Sequence, residues 1–179
     1  MSADESKSYD RIMLRLNQTL FDSLSRLASN HHRSFNGELS AAFASWIFER
    51  DTLTLMKDRL LASAGEDIIL SVHGQVQSFD LRTGTEKDSC KFPVRLREDL
   101  ALSLREAYSE ANEGCDDALS LNAYMKMVLS WWVSHSFQVE ACSKAIYRDY
   151  KDGGFSSQPI RDSMGFRVFT LPSYAPRCA

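Results

Sequence analysis

The chain has 179 residues, 44% of them hydrophobic and 25% charged, with a formal net charge of −3. These proportions suit one ordinary globular domain or two very small ones, and the acidic balance argues against a nonspecific nucleic-acid coat while leaving room for a local basic patch. No apolar run approaches the roughly 18 residues of a membrane span, and the polar start Met1-Ser2-Ala3-Asp4-Glu5 has no signal core, so a cytoplasmic protein with no membrane partner is expected.

The first predicted element is a strand. Ile12, Leu14 and Leu16 alternate with Arg11, Met13 and Arg15, the period of two that marks one apolar and one exposed face. Asn17 then stands as the N-cap of a helix with Leu20, Leu24, Leu27 and Ala28 at helical spacing. His31 and His32 follow in a turn and are expected as surface polarity. Ser34 caps a second helix that carries Phe35, Leu39, Ala42, Phe43, Trp46 and Ile47 at three- and four-residue steps, with Trp46 in the core. Residues 51–64 continue an apolar helical pattern through Leu53, Met56, Leu60 and Leu61. Residues 67–81 fit a hairpin turning at His73-Gly74, and 82–89 a linker.

The order of elements then repeats. Phe92, Val94 and Leu96 alternate with Lys91, Pro93 and Arg95. A helix with Leu100, Leu104, Ala107 and Ala111 leads to Ser120, which caps a second helix bearing Leu121, Met125, Val128, Leu129, Trp132 and Val133. The copies align at an offset of 80 residues through the first helix and 86 through the second, because the second copy has a longer loop around Gly114 to Asp117. Trp132 is expected in the core and Trp131 as a partner contact. Residues 137–150 read as a further helix, broken at Asp152-Gly153-Gly154, and Phe166 to Leu171 as a short strand in the tail. Four segments result: a first unit over 10–50, an insert over 51–89, a second unit over 90–133 and a C-terminal extension over 134–179.

One strand with two helices is too small to close a good core, but two such units can solve the problem together. The strands pair antiparallel into a ribbon and four helices close beneath it, with pairing inside one chain favoured by local concentration. The exposed ribbon face then presents Arg11, Met13, Arg15, Lys91, Pro93 and Arg95. A two-stranded ribbon fits the DNA major groove, where arginine reads guanine. The helix starts at Ser34, Phe35, Asn36 and at Ser120, Leu121, Asn122 would meet phosphates, with Arg33 beside the first.

The strand, the Leu-rich helix and the string Arg33-Ser34-Phe35-Asn36-Gly37-Glu38-Leu39 resemble the ribbon-helix-helix family of the Arc/MetJ type, here in a tandem two-copy form. The likeness covers 10–48 well and 90–133 less well. It implies a mainly α fold with a short antiparallel β-ribbon, two units in one chain forming a pseudo-dimer, plus an inserted α/β segment and the C-terminal extension. It also implies sequence-specific binding of double-stranded DNA, as in a transcriptional repressor. By position, base reading passes to Arg11, Met13, Arg15, Lys91, Pro93 and Arg95, and phosphate contact to Arg33, Ser34, Phe35, Asn36, Ser120, Leu121 and Asn122.

The second copy departs from the pattern. Leu119 stands for Arg33 and Tyr124 for Glu38, and Pro93 removes a ribbon N–H, which is tolerable only if that group points away from the partner strand. Over 10–50, five arginines against four carboxylates give +1; over 90–133, five Lys and Arg against seven carboxylates give −2. An alternative therefore stays open: a protein-interaction module, antitoxin-like or polymerase-binding, acting through 51–89 or 134–179, or a DNA-transfer accessory protein. Self-association into a dimer is a further expected partner. No enzyme motif, cofactor site or metal site is indicated. The four cysteines, Cys90, Cys115, Cys142 and Cys178, lack paired zinc spacing and are expected as thiols or small core residues.

Overall fold

The computed structural model describes residues 9–64, 70, 90–115 and 117–151. Apart from Leu70, the hairpin expected over 67–81, the linker over 82–89 and the tail strand lie outside these residues.

The two alternating segments are strands, β1 (Tyr9–Leu16) and β2 (Cys90–Arg97). They pair antiparallel as a two-stranded sheet within the chain. Alternation works as expected: Ile12, Leu14, Leu16, Val94 and Leu96 are buried beneath it, and Arg11, Met13, Arg15, Lys91 and Arg95 are exposed above. Pairing is needed because a lone strand would leave one row of backbone groups beside the core without partners.

Each strand leads into two helices, α1 (Gln18–Asn30) and α2 (Phe35–Ala44) after β1, α4 (Glu98–Asn112) and α5 (Leu121–Lys151) after β2, with α3 (Arg50–Ala64) between. The caps are those the residue types favour. The Asn17 side chain accepts from the Leu20 amide at 2.8 Å, Ser34 Oγ from the Gly37 amide at 3.0 Å and Ser120 Oγ from the Ala123 amide at 3.2 Å. Helix α1 ends with the Arg33 amide donating back to Ala28 and the His31 amide to Leu27, while His32 takes a left-handed φ of 54°. The second copy puts Gly114, φ 73°, in its corresponding turn, where a missing Cβ makes that conformation cheap.

The copies interlock. Helix α2 packs on β2 and α5 on β1, and each also meets the first helix of the other copy. One apolar cluster therefore draws on both, with Leu14, Leu20, Leu24, Leu39 and Phe43 from the first and Leu96, Leu104, Met125, Leu129 and Val133 from the second fully buried. At about 1.5–3 kcal/mol for each side chain removed from water, neither copy alone could gather this much. Ala101, absent from the expected pattern of α4, is buried too, and Leu100 only partly.

Two boundaries differ from expectation. Helical structure runs without a break from α2 through a π segment, Ser45–Glu49, into α3. The π turn lets both Ser45 and Trp46 face inward. Likewise the helix expected over 137–150 is the second half of α5, which is continuous for 31 residues. The extensions of α3 and α5 pack on each other beyond the ribbon-side core. Met56, counted in the apolar pattern expected over 51–64, is 63% exposed; Lys57, one position on, lies on the line of Leu53, Leu60 and Ala64 and is buried. Burial lowers the Lys57 pKa, partly opposed by Asp58 at 3.8 Å. His135 of α5 is also buried, its Nδ1 has no partner, and its ring stacks on Trp131 at 5.2 Å. Burial, with help from Lys57 and against Asp58, pushes its pKa down to about 4. Cys142 Sγ donates to the Leu60 carbonyl at 3.8 Å. Among the described residues no helix is long and apolar enough to cross a membrane.

Candidate nucleic-acid interface

The register of the ribbon decides what its exposed face looks like. Met13 lies opposite Pro93, its counterpart in the repeat, so the register of the ribbon is symmetric about this pair. Arg11 lies opposite Arg95 on one side of that pair and Arg15 opposite Lys91 on the other. Each end of the ribbon thus takes one cation from each copy.

Backbone bonding fixes how close those pairs are. The Arg95 amide donates to Asn36 Oδ1 at 2.8 Å, and Asn36 Nδ2 donates to the Arg95 carbonyl at 2.8 Å. The Arg15 amide donates to Asn122 Oδ1 at 2.8 Å, and Asn122 Nδ2 to the Arg15 carbonyl at 3.2 Å. Backbone groups spent on the asparagines point away from the partner strand. Arg11–Arg95, Met13–Pro93 and Arg15–Lys91 are therefore the non-hydrogen-bonded pairs of the ladder, whose Cα atoms sit about 4.5 Å apart rather than about 5.5 Å. Pro93 is two residues from Arg95 and shares its orientation, so the N–H that proline lacks would have faced outward, and the ladder loses nothing.

Like charges directly opposite on a ribbon are unfavourable. Here two such pairs stand side by side, and no ion pair among the described residues engages Arg11, Arg15, Lys91 or Arg95. The nearby carboxylates are occupied. Asp10 takes Arg105 at 2.7 Å, and Asp99 bonds Arg97, an interaction that holds the Asp99 pKa down. Met13 is 53% exposed between the pairs and Tyr9 58% exposed at one end.

The helix starts flank this face, but their side chains are placed otherwise than expected. Asn36 and Asn122 are used on the strand edges, each docking its own helix onto the other copy's strand. Ser34 and Ser120 are caps. The Phe35 ring is wedged between Phe21 and Phe92, with centroids 4.8 Å from each, and Leu121 packs against the core. What remains for an anion is backbone: the Phe35, Asn36, Leu121 and Asn122 amides take no part in the caps. Arg33 leans toward Glu38, its Nη1 3.4 Å from Oε2, while staying 46% exposed.

Glu38 belongs to an arrangement that spacing did not reveal. It is fully buried, and its Oε1 accepts from Trp132 Nε1 at 2.7 Å and lies 2.9 Å from His31 Nδ1. At the equivalent place, Tyr124 Oη accepts from Trp46 Nε1 at 3.0 Å. Burial raises the Tyr124 pKa, against the Trp46 hydrogen bond and Arg50. Each tryptophan thus donates to a residue of the other copy. His31 is correspondingly a partner of a buried carboxylate rather than mere surface polarity. Trp131, expected as a partner contact, is partly buried against Trp46, at 5.3 Å, and Trp132, at 6.2 Å.

No protein-family model, curated protein or solved structure matches this chain.

Proposed function

We propose that the chain is a sequence-specific double-stranded DNA-binding protein, built as two ribbon-helix-helix units paired within one chain and acting as a transcriptional repressor by occupying an operator. The observation that carries this reading is the pair of unneutralised like-charge contacts, Arg11 against Arg95 and Arg15 against Lys91, on the exposed face of a two-stranded ribbon. An anionic ligand relieves that repulsion, and a major groove admits a ribbon of this width. Arginine forks suit the guanine edge, and Met13 with Pro93 offers an apolar contact at the centre. The first-turn amides of α2 and α5, held beside the strands by Asn36 and Asn122, are suited to the phosphates on either side.

The test is a titration of the protein onto DNA from upstream of its own gene, over a range of salt. The expected result is tight binding to one fragment, with log K falling linearly against log salt by about 0.9 for each phosphate neutralised. Absence of binding to any fragment by the folded protein would refute the reading.

A second reading has its own observation. Phe48, Leu55 and Met56, on the π segment and α3, are 68%, 58% and 63% exposed. They suit a protein partner, in an interaction module or in a DNA-transfer complex. Binding by that route would survive loss of Arg11 and Arg15.

A further inference from the structure

We infer that the DNA site is non-palindromic and that strand register makes both copies share each of its halves: Arg11 and Arg95 read one half, Arg15 and Lys91 the other, and the Arg11/Arg95 half is bound more tightly. This rests on the DNA-binding reading above and gives it a polarity.

The division follows from the pairing. Repeat logic alone would group Arg11 with Lys91 and Arg15 with Arg95, the residues in equivalent slots. In the ribbon those equivalents lie on opposite sides of the Met13–Pro93 pair, and the neighbours are Arg11 with Arg95 and Arg15 with Lys91. Whatever lies beneath one end of the ribbon therefore meets one side chain from each copy.

The inequality follows from three differences between the ends. At the first, both cations are arginines, which can take a guanine edge with two parallel bonds; at the second, one is lysine, a point charge without that fork. The helix docked at the first end, through Asn36 on Arg95, is α2, preceded by Arg33. The helix docked at the second, through Asn122 on Arg15, is α5, preceded by Leu119 and a loop with exposed Glu113 and Asp117. That loop is drawn close to the helix start, because the Leu119 amide donates to Asn112 Oδ1 at 2.7 Å. The first end thus presents Arg33, which stays 46% exposed beside its partner Glu38, where a phosphate would pass, and the second presents carboxylates there instead.

The experiment is selection of binding sites from a random double-stranded library with the wild-type protein. The selected site is then used to measure affinity and base preference for Arg11→Ala, Arg95→Ala, Arg15→Ala and Lys91→Ala. A non-palindromic consensus is expected. Arg11→Ala and Arg95→Ala should relax preference in the same half and each weaken binding about ten-fold or more, within the range of a bidentate base contact. Arg15→Ala and Lys91→Ala should relax the other half with a smaller loss. A perfectly palindromic consensus overturns the inference alone, as does preference lost together by Arg11→Ala and Lys91→Ala. If the folded wild type selects no sequence and binds no DNA, the inference and the DNA-binding reading fall together. The wild-type selection stands whether or not any variant folds.

Discussion

The two copies solve one problem in two ways. A tryptophan from each copy, Trp46 in the π segment after α2 and Trp132 in α5, brings its indole N–H into the interface and needs an acceptor there. In the first copy the acceptor is the buried Glu38 carboxylate, attended by His31 and Arg33; in the second it is the neutral Tyr124 hydroxyl, and the slot of Arg33 holds Leu119. The anion and its cation were exchanged together. A buried charge is tolerable only with its partners, so neither half of the exchange is neutral without the other. The slots beyond show the same freedom. At an offset of 86, Glu49 corresponds to His135: the first is exposed, the second buried in the contact between α3 and α5.

This comparison can be broken most forcefully at Glu38. Glu38→Ala leaves the Trp132 N–H without its acceptor and opens a hole in the core, and should cost about 3–5 kcal/mol in urea unfolding. Tyr124→Phe keeps the shape and removes only the acceptor for Trp46, and should cost about 1–3 kcal/mol. Equal costs would mean that the carboxylate and the hydroxyl play the same part and that the charge has no special role.

His135 sharpens the second contrast through pH. Its pKa in the folded chain, about 4, lies below the ordinary 6.5, so the unfolded chain binds the extra proton. The contribution is intact above about pH 6.5 and is lost as pH falls toward 4, reaching about 3 kcal/mol for a shift of this size. His135→Phe should flatten the stability profile between pH 6.5 and 4; an unchanged profile would place the acid sensitivity elsewhere.

The asparagines should show where the copies are alike. Asn36→Ala and Asn122→Ala each free one backbone N–H and one C=O at an exposed strand edge, and each should lower stability by about 1–2 kcal/mol. A large difference between them would mean that the two docking contacts are not equivalent.

Much of this was legible along the chain, for physical reasons that differ by region. The strands could be read because alternation leaves a signature within six residues, and the six ribbon-face residues lie where that period puts them. The caps could be read because Asn17, Ser34 and Ser120 act on amides three positions away. The roles of Asn36 and Asn122 could not, since their partners are 59 and 107 residues distant. The available signal was asparagine in the same slot of both copies, which suits a phosphate contact and a strand-edge lock equally. Continuity of α5 was hidden by Ser134-His135-Ser136, polar residues that interrupt the apolar pattern until α3 supplies something to bury His135 against. Lys57 was missed for the same reason: a lysine counts as exposed in any pattern, and only the facing helix decides otherwise.

The central claim is that the ribbon face binds DNA and is not needed to hold the fold. The most direct test measures the Arg11→Ala/Arg15→Ala variant twice, by DNA titration and by urea unfolding, beside the wild type. Both side chains are exposed and oppose like charges, so stability should hold or rise by a few tenths of a kcal/mol. Affinity should fall about 30-fold or more, from two base contacts of at least about 1 kcal/mol each. A variant that is equally stable and still binds the same fragment with wild-type affinity would contradict the account.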